Sequence, residues 1–331
     1  MALGIGVIGV GSMGSKHAQT IFDGAAGASL VALSDVDPER LRDMACRFGT
    51  DAISDPHELI EAADVDAVIV ASHDDSHAEF VRHCLVLGKP VLCEKPLART
   101  LGETAELVSL ANQASHSAGR QLLSIGFMRR FDNGYRALRE LTLARTRGRA
   151  LMVHCRHRNV RAYPNSTTES AIVNSAIHEF DIVPWLLNDD IVEVSWNAGA
   201  STSAAEKGLA DPMLILMRMN SGVLVTLELF INAGFGYSTE CEIVFEEGTA
   251  ELSETSPIFH RSDRSLSSRY PADWIERYST AYRAEAEAWV NSLSGGASAT
   301  ATGSDAMKAL KVAIAVQDAV STPGKWVAVP S

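Results

Sequence analysis

The sequence predicts an α/β fold in two parts. Residues 1–125 read as a doubly wound parallel sheet, and residues 126–331 as an α+β domain with a large open, mainly antiparallel sheet. Three observations predict it. The chain has 331 residues, more than one hydrophobic core usually serves. Its first half alternates short apolar runs with helical patterns, which implies a parallel sheet covered on both faces. After about residue 126 that alternation stops, and strand-like runs follow one another without helices between them, as in an antiparallel sheet.

Each element has its own signal. LGIGVIGV is a strand-type run ending in glycines, and SKHAQTIF continues as a helix. SLVALSD is a second strand, followed by the helix PERLRDMACRFG with Gly49 as its stop. VDAVIVAS and SHAEFVRHCLVLG form a third strand–helix pair, ended by Gly88, and KPVLCEKP is a fourth strand. Thr100 and Glu103 fit a capping box that opens LGETAELVSLANQASHSAG, after which QLLSIGF is a fifth strand.

Beyond it, FDNGYRALRELTLAR reads as a helix and ALMVHCRHRN as a strand. A polar loop, VRAYPNSTTES, leads into a helix carrying Asn174 and His178. IVEVSWNAGA, PMLILMRM, GVLVTLELFINA, TECEIVFEEG and GTAELSE are strand-like, with a hairpin signal at Asn220-Ser221-Gly222. Two amphipathic helices follow, ADWIERYSTAYRAEAEAWVNSLSG and SDAMKALKVAIAVQDAV, with a surface loop between them. An open sheet with an apolar face is a candidate subunit interface.

Gly9-x-Gly11-x-x-Gly14 follows the first strand and opens a helix, and Asp35 ends the second strand. In that context the spacing is the fingerprint of a Rossmann dinucleotide site. Gly9 permits the tight turn, Gly11 lets a pyrophosphate reach the backbone, and Gly14 lets helix and strand pack closely. The phosphates then face a helix N-terminus, whose free N–H groups favour anions. Ser12 and Met13 lie within this loop, Ser72 and His73 at the end of the third strand, and Glu94 at the end of the fourth. All are cofactor-binding candidates. Asp35 repels a 2′-phosphate, which favours NAD over NADP, while Arg40 further along blunts that preference.

Composition narrows the function. Hydrophobic residues make up 46% and charged residues 21%, as in an ordinary globular protein. A net charge of -12 repels phosphate backbones, which argues against nucleic-acid binding. The five cysteines include no C-x-x-C pair, and the reading is reduced thiols in a cytoplasmic protein, with no metal site. The N-terminus reads as a buried strand rather than a leader, and no run is long enough to span a membrane.

Lys95, in Glu94-Lys95-Pro96, falls at the C-terminal edge of the sheet, where ligands bind in open α/β folds. From spacing alone it reads equally as a proton-transfer group and as a surface lysine before a turn proline. Asn174 and His178 stand four apart, so on a regular helix they share a face.

The glycine motif, EKP after the fourth strand, GFMRRFD, HCRHRN and IHEFDI, in this order, resemble the Gfo/Idh/MocA family, and within it the bacterial inositol 2-dehydrogenases. The resemblance extends over nearly the whole chain. It implies a Rossmann domain for NAD(P), a second domain for substrate and oligomerisation, and a homotetramer. It also implies hydride transfer between a cyclitol or sugar carbon and nicotinamide. Lys95 and His178 match the catalytic lysine and histidine. Met128, Arg129, His157, Asn159 and Asp181 match positions lining the inositol pocket, and Phe235 and Tyr237 fall where such enzymes often carry tyrosines. Local alternatives stay open: Arg129 and Arg130 as a solvated helix start, His157 as a satisfied strand histidine, Asp181 as a local cap or pair, Phe235 as core. His73 and His77 fit the third strand–helix turn better than catalysis.

One residue departs from that pattern, and a second is unusual within a helix. The family places Asp where this chain has Asn174, and an amide supplies no negative charge to an imidazolium. Asn174 reads as this enzyme's own choice, as an engineered Asp→Asn, or as the mark of a non-catalytic cofactor- and sugar-binding protein. Pro184, in the same helix pattern, removes the hydrogen bond to the Phe180 carbonyl and is expected to kink or end the helix.

Overall fold

A computed structural model describes residues 2–252, 260–262 and 264–330. The chain divides into two compact units, 1–128 with 280–307, and 129–279 with 308–331.

The first unit runs β1 (Leu3–Ile8), α1 (Ser12–Phe22), β2 (Ala28–Ser34), α2 (Pro38–Phe48), β3 (Asp51–Ala52), α3 (Pro56–Glu61), β4 (Ala67–Val70), α4 (Asp74–Val86), β5 (Val91–Cys93), α5 (Leu101–Ala118) and β6 (Leu123–Ile125). The six strands pair in parallel in the order β3-β2-β1-β4-β5-β6. The order reverses between β1 and β4, so the switch point lies at the C-terminal ends of these two strands. Every residue of β4 is buried, as a strand covered on both faces requires. β3 and α3 are additional to the five strands expected. β3 is two exposed residues with no apolar run to betray it. α3 is opened by Asp55, whose side chain accepts the His57 N–H, with Pro56 at the first helical position.

The second unit runs from a short 3₁₀ turn (Met128–Phe131) through α6 (Asn133–Ala144), β7 (Ala150–Arg158), α7 (Thr168–Ala171), a π-turn (Ile172–Ala176), α8 (Ile177–Leu187) and β8 (Ile191–Ala198). It continues with β9 (Met213–Met219), β10 (Leu224–Phe230), β11 (Ser238–Phe245), β12 (Gly248–Glu251), β13 (His260–Ser262) and β14 (Ser265–Ser267). α9 (Trp274–Leu293), α10 (Gly303–Val320) and β15 (Val327–Ala328) complete the chain. Seven strands pair in the order β12-β11-β7-β10-β9-β8-β15. All neighbours are antiparallel except β7 and β10, which run parallel. Residues 253–254 of the expected GTAELSE strand lie outside the described residues.

The sheet alternates cleanly. Val153, Cys155 and His157 of β7, with Val225, Leu227 and Leu229 of β10, face the buried side. α8 supplies Phe180, Ile182, Val183 and Leu186 to this unit's buried set. Residues 280–307 cluster with the first unit rather than with the second half of the sequence. The reason is apolar: Ala286, Trp289, Val290 and Leu293 of α9 join the core formed by Ile5, Val7, Ile21 and Leu33. Among the described residues no helix is long and apolar enough to cross a membrane.

Candidate functional site

In the first unit the β1–α1 turn is shaped by three different constraints. Gly9 has φ +84°, and a Cβ there would stand 2.5 Å from the Ser72 Cα. At Gly14 a Cβ would stand 1.6 Å from the Gly9 carbonyl oxygen, so helix and strand touch backbone to backbone. Gly11 differs. The nearest atom to its Cβ position is Arg40 Nη1 at 3.8 Å, and the backbone is extended at φ -67°, ψ -158°. Among the described residues nothing demands glycine there. Gly11 is also the N-cap of α1 and offers no side-chain cap, so Ser12 and Met13 open a helix whose first N–H groups have no capping side chain. These features fit a dinucleotide pyrophosphate.

Asp35, just past β2, has a nearly buried carboxylate that accepts the N–H groups of Val10 at 2.7 Å and Asp37 at 2.8 Å. Arg40 Nη1 is 3.7 Å from it, while Arg40 Nη2 donates to Asp37. The bond to Asp37 and the Asp35 charge raise the Arg40 guanidinium further above its ordinary value. Asp35 thus organises the glycine loop whether or not a ribose is present.

The β4 and β5 ends carry the remaining first-unit candidates. The Ser72 hydroxyl pairs with Ser76 at 2.7 Å, and His73 is largely exposed at the start of α4. His77 is buried, with Nδ1 2.8 Å from the Pro96 carbonyl and Nε2 3.2 Å from the Ser72 carbonyl. It ties the turn carrying Lys95 to the end of β4, a structural role near the cofactor loop. Glu94 is buried against His17 Nε2 at 2.8 Å. Burial alone pushes its carboxyl up, but the His17 hydrogen bond and charge, with Lys95 and His77, hold it below the usual range. Lys95 is half-buried beside it.

In the second unit a buried polar cluster surrounds β7 and α8. Arg129 and Glu179 form an ion pair inside the protein, at 1% and 2% side-chain exposure. His157 Nδ1 lies 3.1 Å from Glu179 Oε2 and 3.2 Å from Arg129 Nη2. The rings of Tyr135 and Tyr278 lie beneath the Arg129 guanidinium. Burial would raise the Glu179 carboxyl, but Arg129 and His157 outweigh it and keep it ionised. The His157 ring sits 6.4 Å from that of His178 and 5.9 Å from that of Tyr237, itself buried.

Arg130 forks onto both oxygens of Asp181, so neither it nor Arg129 is the solvated helix start left open by the sequence. His157, Arg129, His178 and Tyr237 therefore come together. Asn159 donates to Ser175, and both line a cleft of about 170 Å³ with Asn174, Ser170 and the loop residues Arg161 and Tyr163. Among the described residues the buried Asn159 Oδ1 has no hydrogen-bond partner. Met128 is buried at the end of the first unit. Phe235 is neither core nor enclosed: it is 52% exposed, edge-on to Tyr270 and beneath Arg158.

The helix carrying this site is not the regular one expected. Ile172–Ala176 is a π-turn, so Asn174 does not sit one α-turn before His178 on a straight face. Pro184 does not end the helix, which runs on to Leu187 and closes at Asn188 in the left-handed region. Glu179 and His17 are the residues that sequence reasoning passed over. Glu179 had a signal, a charge directly after His178 that shares the otherwise apolar run AIHEFDIV with Asp181. Among the described residues no group of three or more His, Cys, Asp or Glu is arranged to hold a metal.

Known proteins resemble the chain from end to end. Residues 3–119 match the profile of an oxidoreductase family with an NAD-binding Rossmann fold, and residues 135–251 that of the GFO/IDH/MocA C-terminal domain. An inositol 2-dehydrogenase of Paenarthrobacter aurescens is 45% identical over 325 residues, 98% of each chain. One from Saccharopolyspora erythraea is 41% identical, over 89% of this chain and 87% of its own. The crystal structure of myo-inositol dehydrogenase from Lactobacillus casei with NAD(H) and myo-inositol superposes with a TM-score of 0.94. It is 28% identical, covering 100% of this chain and 98% of its own. By these matches and by its two-unit architecture, the chain belongs to the Gfo/Idh/MocA family of NAD-binding oxidoreductases.

Proposed function

We propose that this oxidoreductase oxidises a secondary hydroxyl of a cyclic polyol of inositol type to a ketone. The observation that carries the reading is the grouping of His157, His178 and Tyr237 on buried elements of a chain 45% identical to an inositol 2-dehydrogenase. Hydride departs from such a carbon only as its hydroxyl proton is lost, so a base is required. His178 is that base. Lys95 hydrogen-bonds the reacting oxygen, and Asn174 orients by hydrogen bonding without contributing charge. Bound NAD supplies the acceptor carbon for the hydride. Gly9, Gly11, Ser12, Met13 and Gly14 hold its pyrophosphate, and Asp35 its ribose, with Ser72, His73 and Glu94 at the strand ends beside them.

Met128, Arg129, His157, Asn159, Asp181, Phe235 and Tyr237 form or brace the polyol site. Arg129 and Asp181 do so through their ion pairs to Glu179 and Arg130. NAD is preferred to NADP because Asp35 presents a carboxylate where a 2′-phosphate would lie. A cytoplasmic setting suits five free cysteines, four of them buried. Half-exposed Met152, Leu216, Leu224 and Phe230 on the open face of the second sheet support self-association as a tetramer, which light scattering measures.

The test is NADH formation with a panel of inositols, hexoses, pentoses and aminocyclitols. Turnover best on an inositol supports the reading. A sugar or aminocyclitol as the best substrate replaces the substrate class, and NAD binding without turnover on any replaces the enzyme with a sensor.

A further inference from the structure

The His157 Nδ1 atom faces two groups that make opposite demands. Glu179 Oε2, at 3.1 Å, can only accept a hydrogen; Arg129 Nη2, at 3.2 Å, can only donate one. A single ring nitrogen satisfies one of them. If Nδ1 carried a lone pair, that pair would face an ionised carboxylate inside the protein. Arg129 depends on it less, since its charge is already met through Nη1, which donates to Glu179 Oε1. An Nδ1–H donating to Glu179 is the charge-assisted arrangement; it gives up the Arg129 Nη2 contact but avoids setting a lone pair against a buried carboxylate. The consequence passes through the ring: with the proton on Nδ1, Nε2 carries the lone pair.

We propose that Glu179 is a positioning residue that locks His157 in the Nδ1–H tautomer, so that His157 Nε2 accepts a hydrogen bond from a substrate hydroxyl beside the one His178 deprotonates. The inference rests on the polyol reading given above. It assigns a role to the charge in IHEFDI that the sequence pattern left idle. It also separates two histidines 6.4 Å apart by job. His178 takes a proton, whereas His157 holds a neighbouring hydroxyl and with it the ring's orientation. Arg129 keeps Glu179 ionised, and Tyr135 and Tyr278 hold the guanidinium in place.

The test combines Glu179→Gln with ¹⁵N spectra of histidine-labelled full-length protein. In the parent, His157 should show a protonated Nδ1 and an unprotonated Nε2. In the variant the amide donates to Nδ1 and the tautomer inverts. KM for the best polyol should rise about tenfold or more while kcat changes little, the pattern of lost binding rather than lost chemistry. Glu179→Asp should restore the tautomer and part of KM. Asn174→Asp, on the other side of His178, should leave the His157 spectrum unaltered.

Should Glu179→Gln fail to fold, Arg129→Met with Glu179→Gln removes both buried charges together and is read the same way. An Nε2–H tautomer in the parent, or an inverted tautomer with an unchanged KM, overturns the inference. A parent that turns over no polyol overturns the functional reading instead, and the spectra still decide the tautomer.

Discussion

Gly11→Ala and Gly14→Ala differ by three residues and by one carbon atom each, yet the structure predicts opposite failures. At Gly14 the new methyl would stand 1.6 Å from the Gly9 carbonyl oxygen and 2.7 Å from its carbon. Both are backbone, so the β1–α1 turn must open by more than 1 Å, roughly, at a cost of about 3 kcal/mol or more by the usual scale of overpacking. At Gly11, among the described residues, the methyl meets only Arg40 Nη1, at 3.8 Å, and the backbone already suits an L-residue. Stability without cofactor should therefore stay within about 0.5 kcal/mol of the parent. The methyl instead fills the space a pyrophosphate needs. Losing one charge-assisted backbone hydrogen bond costs about 1.5–3 kcal/mol, or about 10–100-fold in NADH affinity. Thermal melting and NADH fluorescence titration read the two effects separately. A Gly11→Ala protein that binds NADH like the parent, or a Gly14→Ala protein as stable as the parent, would refute the reasoning.

Other consequences are as direct. Asp35→Ser should weaken NAD and narrow the NAD-to-NADP ratio of kcat/KM. It should also lower stability, since the Val10 and Asp37 N–H groups lose their acceptor; an unaltered ratio would take Asp35 off the ribose. Glu179 is held below its ordinary value of 4.5, so its stabilisation is complete above about pH 4.5 and is lost as pH falls through the lower folded value. As pH falls from about 4.5 towards about 2, parent stability should fall more steeply than that of Glu179→Gln, and parallel urea midpoints there would contradict this. With a thiol reagent the native protein should react rapidly at the exposed Cys46 alone. Cys84, Cys93, Cys155 and Cys241 are buried, and burial pushes Cys84 up to about 12. Rapid titration of more than one thiol would contradict the packing.

Much of this molecule is legible in its sequence because the relevant forces are local. Apolar runs and glycine stops mark the parallel sheet, and the three glycines of the first turn announce a dinucleotide loop because they follow a strand, open a helix and precede Asp35 at the end of the second strand. What escapes is non-local. β3 has no apolar pattern, because two exposed residues need none. The amphipathic stripe of α9 identifies a helix but not the core it joins, and Trp289, Val290 and Leu293 join that of the first unit. The π-turn at Ile172–Ala176 leaves no mark in residue type. Arg129 and Arg130 look like a solvated pair until Glu179 and Asp181, about fifty positions later, are brought to them. The same distance hid Glu179: its value lies in two partners that no spacing rule connects.

The central claim is that this chain moves a hydride from a polyol carbon to nicotinamide. Inositol deuterated at every ring carbon tests it without knowing which hydroxyl reacts. Incubated with NAD and the unmodified enzyme, it should yield reduced cofactor carrying one deuterium at nicotinamide C4 and a deuterated inosose, both seen by mass spectrometry and proton NMR. Reduced cofactor without deuterium, or labelled inositol recovered intact while NAD stays bound, would contradict the account.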